Sequence, residues 1–147
     1  MTAVRRAEAA WQGDLVSGSG TVSAVSSGAF RDLPVSWAAR TESPEGKTSP
    51  EELVAAAHAA CFEMAFSAAL ARAGTPPEHL AVSAEVTFDK TDAGWRVVSS
   101  ALTVVGRVPG IDADAFRAAA EATRDGCPVS VALKGNVALS VEAMLAS

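Results

Sequence analysis

Two cysteines, Cys61 and Cys127, and a histidine three positions before the first of them are the residues here whose side chains can do unusual chemistry. Thiols attack electrophiles, cycle between redox states or ligate metals. The cysteines lie 66 positions apart with no CxxC pair, and zinc would need four ligands. Cys61, Cys127, His58 and His79 could supply them only at a spacing unlike any finger or ribbon, so neither a metal nor a cofactor is expected. Cys61 sits between Ala60 and Phe62, where a thiol can serve as a small buried hydrophobe. Cys127 follows Gly126, a helix stop, and precedes Pro128, a helix start; unpaired backbone N–H groups there favour a thiolate. If the two thiols meet, they can form a reversible disulfide. His58 neighbours Cys61 on a helix surface, so a Cys–His thiol hydrolase is an alternative; a hydrogen-bonded packing role suits a histidine in an alanine run equally well. A third reading is a non-catalytic binder of small apolar ligands with both thiols as packing. His79, after Pro-Pro-Glu, reads as exposed loop.

Positioning Cys61 falls to the stretch from Ser49 to Leu70. Ser49 can cap, Pro50 suits the first helical position, and Glu52 can complete a capping box with Ser49. Apolar residues continue to Leu70, and Arg72 and Gly74 are stop signals. This predicts a helix about 36 Å long, small and apolar nearly all round, and hence buried on most sides. A 147-residue chain has little material to cover such a helix, so a two-fold homodimer is expected.

Around it, residues 7–11, 20–26 and 30–40 read as three strands, with Pro34 pushing the third toward an edge. Leu80 to Lys90 alternates cleanly, Asp92-Ala93-Gly94 is a hairpin turn, and residues 95–108 form the partner strand. A helix from Asp112 or Asp114 to Gly126, a short helix from Val129 to Leu133 and a strand over 136–142 complete the chain. Strands grouped in hairpins argue for an α+β class with antiparallel sheets around a long central helix, in one domain spanning 1–147. A net charge of −5 argues against a nucleic-acid or anionic-membrane surface. The apolar runs are interrupted, the longest by His58 and Glu63, and no apolar segment follows Arg5 and Arg6, so a cytoplasmic protein without a signal peptide is expected.

The motifs together are recognisable. Pro50-Glu51-Glu52-Leu53 with Ala56-Ala57-His58-Ala59-Ala60-Cys61-Phe62 resembles the OsmC/Ohr family of thiol-dependent hydroperoxide reductases. So do Pro109-Gly110-Ile111-Asp112 and Gly126-Cys127-Pro128-Val129-Ser130. Trp11-Gln12-Gly13-Asp14, Gly18-Ser19-Gly20-Thr21-Val22-Ser23 and Asp89-Lys90-Thr91-Asp92-Ala93-Gly94 resemble the OsmC branch in particular. The resemblance implies an intertwined α+β homodimer with active sites at the subunit interface, reducing organic hydroperoxides, with hydrogen peroxide a further substrate candidate. It implies Cys61 as the peroxidatic thiolate, Cys127 as the resolving thiol, and a dithiol reductant, a lipoylated protein or a small dithiol. It also implies roles for Arg40, at the end of the third strand, and for Glu51. A thiol in an apolar helix stays protonated unless a cation offsets burial, and a carboxylate can hold that cation's fork. Glu51 lies ten residues before Cys61, about 15 Å along a straight helix. It therefore acts through Arg40 or serves the other chain's site. Glu52 is left to the cap.

Overall fold

The computed structural model describes residues 1–146. They divide into two compact units, the first running from Met1 to Leu53 and the second beginning at Val54.

The first unit holds a three-stranded antiparallel sheet of β1 (Ala7–Gln12), β2 (Ser19–Ala24) and β3 (Leu33–Val35), in that order. The expected third strand, residues 30–40, is cut short. Ser36 leaves the sheet, and its hydroxyl accepts from the Ala39 N–H at 3.1 Å, capping a five-residue helix α1 (Trp37–Thr41). Arg40 and Trp37 are thus helical residues rather than strand residues.

Helix α2 (Pro50–Arg72) begins in the first unit and continues into the second. Ser49 Oγ accepts from the Glu52 N–H at 3.1 Å, as the capping pattern predicts. The Glu52 carboxylate accepts from the Thr48 hydroxyl at 2.8 Å instead of from the Ser49 N–H, so Glu52 is occupied at the helix entrance but the expected capping box is only half made. By length and composition alone α2 could cross a membrane. Its burial is instead one-sided: His58, Phe62, Phe66 and Leu70, spaced by four, are fully buried, whereas Ala56, Ala57, Ala60, Met64 and Ala68 stay exposed. The expectation of burial on most sides therefore fails for the single chain.

The second unit is built on β4 (His79–Thr91) and β5 (Gly94–Arg107), the predicted hairpin, paired antiparallel with a bulge at Thr87/Phe88. Leu80, Val82, Ala84 and Val86 alternate with exposed neighbours as the pattern requires. Helix α3 (Ala113–Gly126) is capped by Asp112, whose Oδ1 accepts from the Ala115 N–H at 2.8 Å. Helix α4 (Pro128–Leu133) follows directly, and β6 (Ala138–Leu145) then pairs with β5 in parallel, from Ser99↔Ala138 to Gly106↔Leu145. This sheet is mixed, where hairpin grouping alone suggests antiparallel pairing throughout. The reason is connectivity: α3 and α4 carry the chain back along the sheet before the last strand enters. Phe62, Phe66 and Leu70 meet Leu102, Val104, Val108, Phe116, Ala120 and Cys127 in one core. Gly106 is part of that fit, because a Cβ there would sit 2.6 Å from the Phe116 ring.

Candidate active site

Cys61 lies on α2 one residue before the buried stripe, so its thiol is partly exposed at the core's edge. Cys127 occupies a junction and is fully buried. It ends α3, with its N–H donating to the Thr123 carbonyl at 2.9 Å, and it caps α4, with its Sγ accepting from the Ser130 N–H at 3.4 Å. The cap-to-third-residue spacing of Cys127 and Ser130 is the pattern usually made by a serine or aspartate, here with sulfur as acceptor. The two thiols are neighbours. Burial pushes the Cys61 thiol above its ordinary range, the Val129 N–H directed at the sulfur pulls it part of the way back, and the adjacent Cys127 thiol raises it further. Both sulfurs are free thiols.

Behind them runs a buried polar line. His58 Nδ1 lies 2.6 Å from Ser100 Oγ on β5, and Nε2 lies 2.7 Å from Ser130 Oγ on α4. Ser130 Oγ is also 3.2 Å from Cys127 Sγ. His58, Ser100, Ser130 and Cys127 all have essentially no solvent exposure. With both ring nitrogens engaged by serines, the imidazole is a hydrogen-bonded interior residue rather than the base of a Cys61–His58 dyad. Ser100 and Ser130 escape a reading of the sequence, because they stand 42 and 72 positions from His58 with no periodicity linking them. Only the Cys127–Ser130 cap spacing carried a signal.

The first unit brings Arg40 and Glu51 together. Arg40 Nε lies 3.2 and 3.1 Å from the two Glu51 carboxylate oxygens, and Nη2 lies 2.6 Å from Oε1. This is a two-point grip from α1 to the first turn of α2, with the Glu51 side chain 8% exposed and that of Arg40 29%. The guanidinium also lies 5.7 Å from the centre of the Trp37 ring. Arg40 and Trp37 border a mostly apolar pocket of about 360 Å³ with Trp11, Leu15, Val35 and Pro50. Trp37 thus lines an apolar recess, while Phe62 and Phe66 are core.

The second unit thus holds a paired-thiol centre, and the first, by itself, a carboxylate-held guanidinium beside an apolar recess. Proteins related to this chain fit that chemistry. Residues 43–142 match the family described as OsmC-like protein. The peroxiredoxin OsmC of Escherichia coli strain K12 is 42% identical over 142 residues, covering 97% of this chain and 98% of the relative. The organic hydroperoxide resistance protein OhrA of Bacillus subtilis strain 168 is 29% identical over 113 residues, covering 76% and 77%. In fold, the chain is similar to the crystal structure of an organic hydroperoxide resistance protein OsmC from Legionella pneumophila, with a TM-score of 0.70 at 23% identity over 97% of this chain and 99% of that one. The chain belongs to the OsmC family.

Proposed function

We propose that this chain is a thiol-dependent peroxidase that reduces organic hydroperoxides to alcohols. The observation that carries this reading is the adjacency of a partly exposed thiol, Cys61, and a buried one, Cys127. The 42% identity to a protein named peroxiredoxin supports it. Cys61, as thiolate, attacks the terminal peroxide oxygen; the O–O bond breaks, the alkoxide leaves as alcohol after taking a proton, and Cys61 becomes a sulfenic acid. Cys127 then displaces hydroxide from the Cys61 sulfur to give a disulfide, and a dithiol reductant, such as a lipoylated protein, reopens it by exchange. Arg40 is assigned the positive charge that favours the thiolate and steadies the departing oxygen, with Glu51 fixing its fork. The exposed alanines of α2 and Met64 support a homodimer, in which that face is covered by a second copy. A cytoplasmic setting, where thiols stay reduced, suits the cycle.

A thiol count tests the reading. Reduced protein treated with one equivalent of cumene hydroperoxide per chain should lose both titratable thiols per chain and release one equivalent of cumyl alcohol. Two thiols that persist through the treatment would refute it and favour the apolar-ligand binder. The Cys61–His58 hydrolase gains nothing from the geometry, since His58 is committed to Ser100 and Ser130.

A further inference from the structure

The peroxidase cycle as described leaves one buried titratable residue without a task. His58 has no solvent exposure, yet both of its ring nitrogens are hydrogen-bonded, and one of those bonds continues through Ser130 to the Cys127 sulfur. Among the described residues no buried side-chain nitrogen or oxygen lacks a partner, so the line is closed at each link. Two serines satisfy the ring's donor and its acceptor, and what packing does not require is that the line goes on from Ser130 to a redox-capable thiol. Here three elements, α2, β5 and α4, each supply a polar group to a region otherwise made of Phe62, Phe66, Leu102 and Val104. Burying such groups is costly unless all are satisfied.

We propose that Ser130 and His58 form a proton path for the resolving thiol: Ser130 is the catalytic group in contact with Cys127, and His58 is the positioning residue that accepts the proton behind it. This rests on the peroxidase reading and adds the fate of the Cys127 proton. With Nδ1–H donating to Ser100, His58 Nε2 accepts from the Ser130 hydroxyl, and the Ser130 oxygen accepts from the Cys127 S–H. When Cys127 attacks the Cys61 sulfenic acid, the S–S bond forms and the Cys61 S–O bond breaks. The Cys127 proton moves to Ser130 as the Ser130 proton moves to Nε2. The departing hydroxide takes one proton, restored by the imidazolium, so one water is produced. The Cys127 sulfur is oxidised and the Cys61 sulfur reduced to the disulfide level, and no further reagent is needed.

The surroundings of His58 suit an acceptor. It faces Ser100 from β5, Ser130 from α4 and, beyond Ser130, the Cys127 thiol; the Cys61 thiol lies three residues along its own helix. Burial alone lowers its pKa, with no charged neighbour contributing. The imidazole is therefore neutral at pH 7 and becomes protonated only as pH falls through a value below the usual histidine range.

The experiment is a single-turnover comparison of full-length wild type, Ser130→Ala and His58→Gln, using stoichiometric cumene hydroperoxide without reductant. Quenched samples analysed by mass spectrometry give two rates, that of Cys61 oxidation and that of disulfide appearance. The expected result is that the ratio of the second rate to the first falls about 100-fold in Ser130→Ala, the scale of lost acid–base assistance. In wild type, disulfide formation should slow at acid pH with an inflection below the usual histidine range, and that inflection should vanish in both variants. If His58→Gln does not fold, Ser130→Ala and the wild-type pH profile decide the question. An unchanged ratio, an equal loss in both steps, or a wild-type profile without the acid inflection would overturn the path. Absence of Cys61 oxidation in wild type would instead refute the peroxidase reading itself.

Discussion

Cys61→Ser should lose peroxide reduction by at least about 10³-fold, the scale on which removal of a covalent nucleophile is felt. A neutral serine hydroxyl cannot attack the O–O bond as a thiolate does, and Cys127, fully buried, cannot take over the encounter with a hydroperoxide. The companion variant separates the two thiols. Cys127→Ser, without added thiol, should consume one equivalent of hydroperoxide and stop, with Cys61 gaining 16 mass units and then further oxygens as peroxide is raised. Peroxide consumption followed by ferrous-thiocyanate colour and intact mass reads both. Turnover by Cys61→Ser near the wild-type rate would end the assignment.

The second large effect is expected at Arg40. Burial holds the Cys61 thiol above its ordinary range, so the proposed cycle needs a positive charge to favour the thiolate and to meet the leaving oxygen. Arg40→Met keeps the stem and removes the charge. It should lower kcat/KM by about 10²-fold or more, the usual cost of one lost transition-state donor. The pH profile gives the cause. Without the guanidinium nothing in the proposed cycle offsets the burial of the thiol, so the thiolate fraction at neutral pH should fall and part of the loss should return as pH is raised. Arg40→Lys should rescue little, because an ammonium cannot reproduce the two-point grip that Arg40 makes on Glu51. Glu51→Gln should fall between the two, with the fork present but less firmly held. An Arg40→Met enzyme within threefold of wild type and with the same pH profile would remove Arg40 from the site.

Local chemistry made much of this molecule legible before its structure. The start of α2 follows from Ser49 and Pro50, and the β4–β5 hairpin from alternation around Asp92-Ala93-Gly94. Cys127 could be placed at a helix junction because Gly126 and Pro128 frame it. What depends on distance along the chain was hidden. Alternation says nothing about strand direction, so the parallel entry of β6 was not legible. The brief β3 and the turn into α1 hinge on Ser36 capping Ala39, a signal outweighed by the apolar residues around it. An alanine-rich helix conceals which face packs, because small residues tolerate either environment; the bulky stripe at 58, 62, 66 and 70 is the clue that survives. Arg40 and Glu51 were paired on resemblance, and the grip between them is a finding of the structure. Of the two serines flanking His58, Ser100 has no local signature, and Ser130 has only its cap spacing from Cys127.

The 65 residues between Cys61 and Cys127 contain all of β4, β5 and α3. A bond between the two sulfurs turns that stretch into a ring, and a ring has fewer ways to be unfolded than an open chain. For a loop of this size the chain-entropy estimate is about 4 kcal/mol in favour of the folded form. For a chain of this length, that corresponds to a melting midpoint roughly 10 °C higher. Paired melts with and without a reductant would show the difference, and equal midpoints would exclude it. Each encounter with peroxide would then leave behind a tougher chain, and each encounter with a dithiol would return a looser one, so heat resistance becomes a record of recent oxidant exposure.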